Sequence, residues 1–228
     1  MYRRLDGTHI VETLRRLERR IGERFPGSGL SRVRAELLAA ATESMARVAI
    51  FRRPNIPLRV GSWALIGAIA FTVLEAAVHL PFAPRWEEFA VFLQSSQAIQ
   101  NVVFLGIAVL FLANVETRIR RHRTLAAIHE LRSIAHIVDM HQLTKDPDQV
   151  VADGSVTPSS PERAMTRFGL SRYLDYCAEL LALTSKVAAL YVQDFQDPVV
   201  LEAVNDVEEL TTGLSSKIWQ KIMILDRG

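Results

Sequence analysis

Residues 60–80 read VGSWALIGAIAFTVLEAAVHL, and Glu75 is the only Asp, Glu, Lys or Arg in the run. At roughly 1.5 Å of rise per residue, a helix of this length covers about 31 Å, one hydrocarbon thickness. A second run stays apolar from Phe89 to Val115, interrupted only by uncharged polar residues. Between them PFAPRWEE, residues 81–88, is too short for anything but a turn. The sequence therefore predicts an all-α fold, a two-span transmembrane helical hairpin with spans at 60–80 and 89–115 inside a segment 59–118.

The flanks give the orientation. Arg47, Arg52, Arg53 and Arg59 precede the first span, and Arg118, Arg120, Arg121 and Arg123 follow the second, while the turn holds Arg85 against Glu87 and Glu88. The positive-inside rule then puts both termini in the cytoplasm of a bacterial-type inner (plasma) membrane. Trp63 and Trp86 sit near the two interfaces, where aromatic belts form. Arg52, Arg53, Arg59, Arg118, Arg120 and Arg121 join them as expected surface anchors. No cleavable signal peptide is expected before the first span, because the first 50 residues are charged and amphipathic.

Charge is unevenly divided. Residues 1–132 hold 19 Arg, no Lys and 11 acidic residues, a net +8, whereas residues 133–228 hold 8 basic and 14 acidic residues, a net −6. A basic half beside apolar spans points to anionic headgroups as its partner. The arginine-rich amino terminus lacks the interleaved aromatics of a nucleic-acid surface, so no nucleic acid is expected.

Upstream, residues 1–58 form Arg-rich amphipathic helices. Ile10, Leu14, Leu17 and Ile21 make one stripe, with Arg15, Arg16, Arg19, Arg20 and Arg24 on the remaining face, and Pro26-Gly27 ends the helix. Val33, Leu37, Ala41, Met45 and Val48 mark a second helix from about Leu30 to Ile50. Two placements are open to both: a cytoplasmic bundle, or the headgroup plane.

Downstream, no Gly or Pro occurs from Ile107 to Asp146, so the second span should run on through 119–143 as one helix with Ile128, Leu131, Ala135 and Val138 as its seam. Residues 144–161 read as a linker, with Ser160-Pro161 opening the next helix. Within 162–228, Leu170, Leu174, Cys177, Leu181, Thr184, Ala188, Tyr191 and Phe195 alternate by four and three. After Asp197-Pro198 comes a matching stripe, Val200, Val204, Val207, Leu210, Leu214, Ile218, Ile222 and Leu225. Together they predict an antiparallel helical hairpin completing a cytoplasmic bundle, with a second copy of the chain as the alternative partner for these seams.

Two sets of residues carry chemistry. Glu75 and His79 lie one turn apart in the first span, and Gln94, Gln97, Gln100 and Asn101 fall at comparable depth in the second. Such residues in hydrocarbon make an ion or proton pathway in an oligomer, or serve as hydrogen-bonding glue between helices. The second set is a histidine stripe, His122, His129 and His136 at intervals of seven, followed by Asp139 and His141. His129, His136, Asp139 and His141 have metal-ligand chemistry, but ligands seven apart stand about 10 Å apart along a helix and need a second helix to share an ion. A solvated stripe sensitive to pH is the plainer expectation.

The lone Cys177 excludes an intrachain disulfide and reads as a small core residue. No GxSxG, phosphate-loop or GxGxxG motif is present, so no enzyme and no cofactor are expected. The function anticipated is a non-enzymatic, homo-oligomeric membrane scaffold or sensor whose bundle engages sister copies or a cytoplasmic protein partner. The alternative is a proton or cation channel lined by the polar outer half of the second span.

Overall fold

In a computed structural model, residues 4–51, 56–79, 96–147, 165–193 and 195–227 are described, with side chains set aside at 47–51, 57–59, 69, 72–73, 75–79, 96–103, 105, 110 and 113. All regular structure among them is helical: α1 (Gly7–Arg24), α2 (Gly29–Phe51), α3 (Ile56–His79), α4 (Ser96–Leu143), α5 (Arg167–Gln193) and α6 (Pro198–Arg227). The chain divides into two compact units, one of residues 1–52 with 121–228 and one of 53–120. One continuous helix, α4, contributes to both.

The first unit is an up-down bundle whose directions follow from pairs of touching residues. Leu5 and Gln193 exchange hydrogen bonds, and Arg20 meets Glu179, so α1 runs antiparallel to α5. Tyr191 donates to Ser44 Oγ at 2.8 Å, bringing the carboxyl-terminal half of α2 to the same level. Arg121 meets Asp197, Arg132 stands 4.0 Å from Asp206, and Lys221 reaches the Gln142 carbonyl. The carboxyl half of α4 therefore runs parallel to α6. Both segments through which the chain leaves this unit, the end of α2 and the residues preceding Arg121, lie at the end that holds Tyr191 and Asp197.

Caps set the helix ends. Asp6 Oδ1 accepts from the Thr8 amide at 2.8 Å and starts α1. Gly27, at φ 73°, makes the left-handed turn between α1 and α2 that a side chain would strain. The Thr166 hydroxyl accepts from Gly169 N–H at 3.1 Å, so Thr166 caps α5, which begins at Arg167. Ser160 and Pro161, expected to open that helix, lie outside the described residues.

The core is built on α5, which packs against α1, α2 and α6. Leu170, Leu174, Cys177, Leu181, Thr184, Ala188 and Tyr191 of its seam are all buried, facing the stripe of α6 in which only Leu210 is partly exposed. Beside this seam runs a second buried stripe, Tyr173, Tyr176, Leu180, Leu183, Val187 and Leu190. Phe25 packs edge-on to Tyr173 and Tyr176, which puts α1 on this second stripe. Ile10, Leu14, Leu17 and Ile21 of α1, Leu30, Val33, Leu37 and Ala41 of α2, and Ile128, Leu131, Ala135 and Val138 of α4 join the same core. Among the described residues the predicted seams of this unit are thus covered within one copy, with Met45, Phe195 and Leu210 partly buried and the Val48 side chain outside the described set. The amphipathic face of α1 is spent on the bundle, which leaves it no apolar surface for a headgroup plane.

Packing leaves one polar mismatch at the end where α4 enters. Thr124 is fully buried, and its Oγ1 finds no hydrogen-bond partner among the described residues. Thr124→Val keeps the branched shape and removes the unmet hydroxyl, so it is expected to raise stability by about 1 kcal/mol in a denaturant titration. An unchanged or lower midpoint would show the hydroxyl to be satisfied.

Candidate functional site

At the end of the bundle where the chain enters and leaves, α4 is fastened to the α5–α6 turn. Arg121 donates from Nε and Nη2 to Asp197 Oδ2 at 2.9 and 2.7 Å. The other oxygen, Oδ1, accepts from the Val199 and Val200 amides at 3.1 and 3.3 Å and so caps α6. Burial by itself would push the Asp197 carboxyl up, but the Arg121 hydrogen bond, the Val200 and Val199 amides and the guanidinium charge outweigh it and hold the carboxyl below its ordinary value. One side chain thereby ends a turn, starts a helix and holds a third helix.

The opposite end holds a second polar group of residues. Lys221 Nζ donates to the Gln142 and Lys145 carbonyls at 2.8 and 3.1 Å, satisfying the last turn of α4. Burial holds the Lys221 amine below its ordinary value, with Asp146, Asp139 and Cys177 pulling the other way. Burial also pushes the Cys177 thiol up to about 12, against the opposing pull of Lys221 and Lys145. Tyr173 is likewise pushed up by burial. Gln142, buried, donates to Asp139 at 2.6 Å, while its Oε1 has no partner among the described residues. Lys221 thereby ties the end of α4 to α6, and Gln142 holds Asp139 beside it.

The histidine stripe is dispersed. His122, His129 and His136 are exposed on α4, whereas His141 is half-buried with its imidazole against Gly29 of α2, where a Cβ would overlap the ring. Asp139 is engaged by Gln142. Among the described residues no three His, Cys, Asp or Glu side chains come together as a metal site. His129, His136, Asp139 and His141 are therefore not brought onto one ion.

Glu75 and His79 fall within α3, and Gln97, Gln100 and Asn101 within α4, but their side chains, like Gln94 altogether, lie outside what is described. Of the expected anchors, Arg52, Arg53 and Trp86 also lie outside, as does the Arg59 side chain. Trp63 is exposed, and the Arg118 guanidinium stands over the Phe111 ring at 5.2 Å. Arg121, partly exposed, is paired with Asp197.

In the second unit, large apolar side chains face outward. Ile56, Val60, Phe71 and Leu74 of α3 and Phe104 and Ile107 of α4 are each more than half exposed. Among the described residues, no helix is long and apolar enough to cross a membrane. Leu80 and residues 89–95, parts of the two apolar runs, are not among them. Compared with known protein families, characterised proteins and solved structures, the chain matches none.

Proposed function

We propose that this chain is a non-enzymatic, self-associating membrane scaffold or sensor. Residues 60–80 and 89–115 form a two-span hairpin in an inner (plasma) membrane, and the first unit is a helical interaction module on the cytoplasmic side. The observation that carries this reading is the contrast between the two units. Among the described residues every buried apolar side chain belongs to the first unit, which also exposes Met140, Leu143, Phe168 and Trp219, while the second unit leaves Ile56, Val60, Phe71, Leu74, Phe104 and Ile107 exposed with no buried apolar residue beneath them. Exposed apolar surface on that scale in water marks a site for lipid or protein. The arginines at both ends of the second unit's sequence favour an anionic bilayer surface over a protein partner.

Because its core seams are largely covered within one copy, partners of the module, including sister copies and any cytoplasmic protein, engage its outer surface, where charged residues stand among exposed Met140, Leu143, Phe168 and Trp219. Alkaline carbonate extraction of cell membranes tests the anchoring, and the chain is expected to stay in the pellet. Release into the supernatant would refute the hairpin. In inverted membrane vesicles, added protease should digest the module; protection there would reverse the orientation.

A second reading is a proton or cation pathway. It is supported by the placing of Glu75 and His79 in one helix and Gln97, Gln100 and Asn101 in another, all inside the apolar runs. Glu75→Gln in proteoliposomes separates the two. Loss of flux at unchanged particle mass favours conduction, whereas dissociation of the particle with no flux in either form favours hydrogen-bonding glue.

A further inference from the structure

We infer that copies of this chain associate head to tail by charge: the arginine face of α1 on one copy seats against the carboxylate face of α6 on the next. The inference rests on the self-association in the reading above and adds the surfaces that make it. In α1, five Arg stand against three Glu. Arg16 is held by Glu12 and Arg20 by Glu179, but Arg15 and Arg19, exposed and one turn apart, make no ion pair among the described residues. In α6, residues 198–216 contain Glu202, Asp206, Glu208 and Glu209 and no basic residue. Arg132 approaches Asp206 at 4.0 Å, whereas Glu202 and Glu209, exposed two turns apart, have no cationic partner among the described residues.

Opposite faces on one chain do not neutralise each other here. The α1 face looks away from the Tyr173–Leu190 stripe of α5 and the α6 face away from the Leu170–Tyr191 seam, so the two point to different sides of the bundle. A contact between unlike faces is heterologous: each copy offers one arginine face and one carboxylate face, and such units close into rings or run on as chains. A second copy fits better than an anionic lipid, because the lipid would leave the carboxylate face without a partner.

The test is the particle mass of the full chain in detergent, by mass photometry. Raising salt from about 0.1 M to 1 M shortens the screening length from about 10 Å to about 3 Å, and the unmodified chain is expected to fall to a lower multiple of the monomer. Arg15→Glu with Arg19→Glu should give the lower mass at both salts, and so should Glu202→Lys with Glu209→Lys. An equimolar mixture of the two variants should regain the higher mass, since each then supplies the sign the other lacks. Melting curves matching the unmodified chain would show that the variants fold. Mass unchanged by salt and by the substitutions would overturn the inference. Loss of mass that mixing does not restore would overturn it too and leave the α1 face to an anionic lipid or another polyanion. Retention of every variant in carbonate-washed membranes keeps this outcome separate from failure of the membrane reading.

Discussion

Leu181→Ala is expected to lower the unfolding free energy of the bundle by about 3 kcal/mol, the cost of removing a buried leucine whose site cannot fully collapse. Leu181 is fully buried at the middle of the α5 seam, with the stripe of α6 opposite. For a unit of this size, that loss shifts the melting temperature by roughly 10 °C, readable from the helical circular dichroism signal. The same truncation at Leu210, which is only partly buried, should cost less than half as much. Equal costs at the two positions would mean that α5 and α6 do not pack in the register described.

Asp197→Ala is the second large effect, expected to cost about 2 kcal/mol because it removes a helix cap and the buried side of a half-exposed ion pair together. Asp197→Asn separates the two losses, since asparagine keeps the capping oxygen and gives up the charge. The pH dependence has a definite sign. The folded-state carboxyl is held below its ordinary value of 3.8, so its contribution is fully present above that value and disappears as pH falls through the lower, folded one. Asp197→Asn and the unmodified chain should therefore converge in stability as pH falls through the lowered, folded-state value and differ by a constant amount near neutrality. A difference that persists in acid would mean that the substitution removes more than the carboxylate charge.

Much of the bundle was legible because buried helix faces repeat at intervals of three and four. Leu174, Cys177 and Leu181 on α5, with Val204 and Val207 on α6, follow that interval, and all are buried. The second stripe of α5 was not read, because Tyr173 and Tyr176 alternate with the first seam and carry polar hydroxyls that suit a surface as well as a core. Only their contact with Phe25, which comes from a distant part of the chain, settles which they are. Nor was the ion pair of Arg121 read, for a related reason. Its partner lies 76 residues away, and a run of arginines carries no mark of which member turns inward. The histidine stripe shows the reverse case: regular spacing put His122, His129 and His136 on one face, and that face is open to solvent. As for Glu75 and its neighbours, sequence and depth argue for them alone, because their side chains lie outside the described residues.

The solitary thiol of Cys177 also makes the bundle its own clock. It is fully buried, with its pKa pushed up to about 12, so a thiol reagent at neutral pH meets a sulfur that is neither accessible nor ionised. Labelling must wait for α5 and α6 to part, and with no other cysteine in the chain the reaction has a single origin. The slow rate at which one adduct appears then counts openings of the hairpin directly. Any partner that clamps the bundle closed will lengthen that interval in proportion to how tightly it holds.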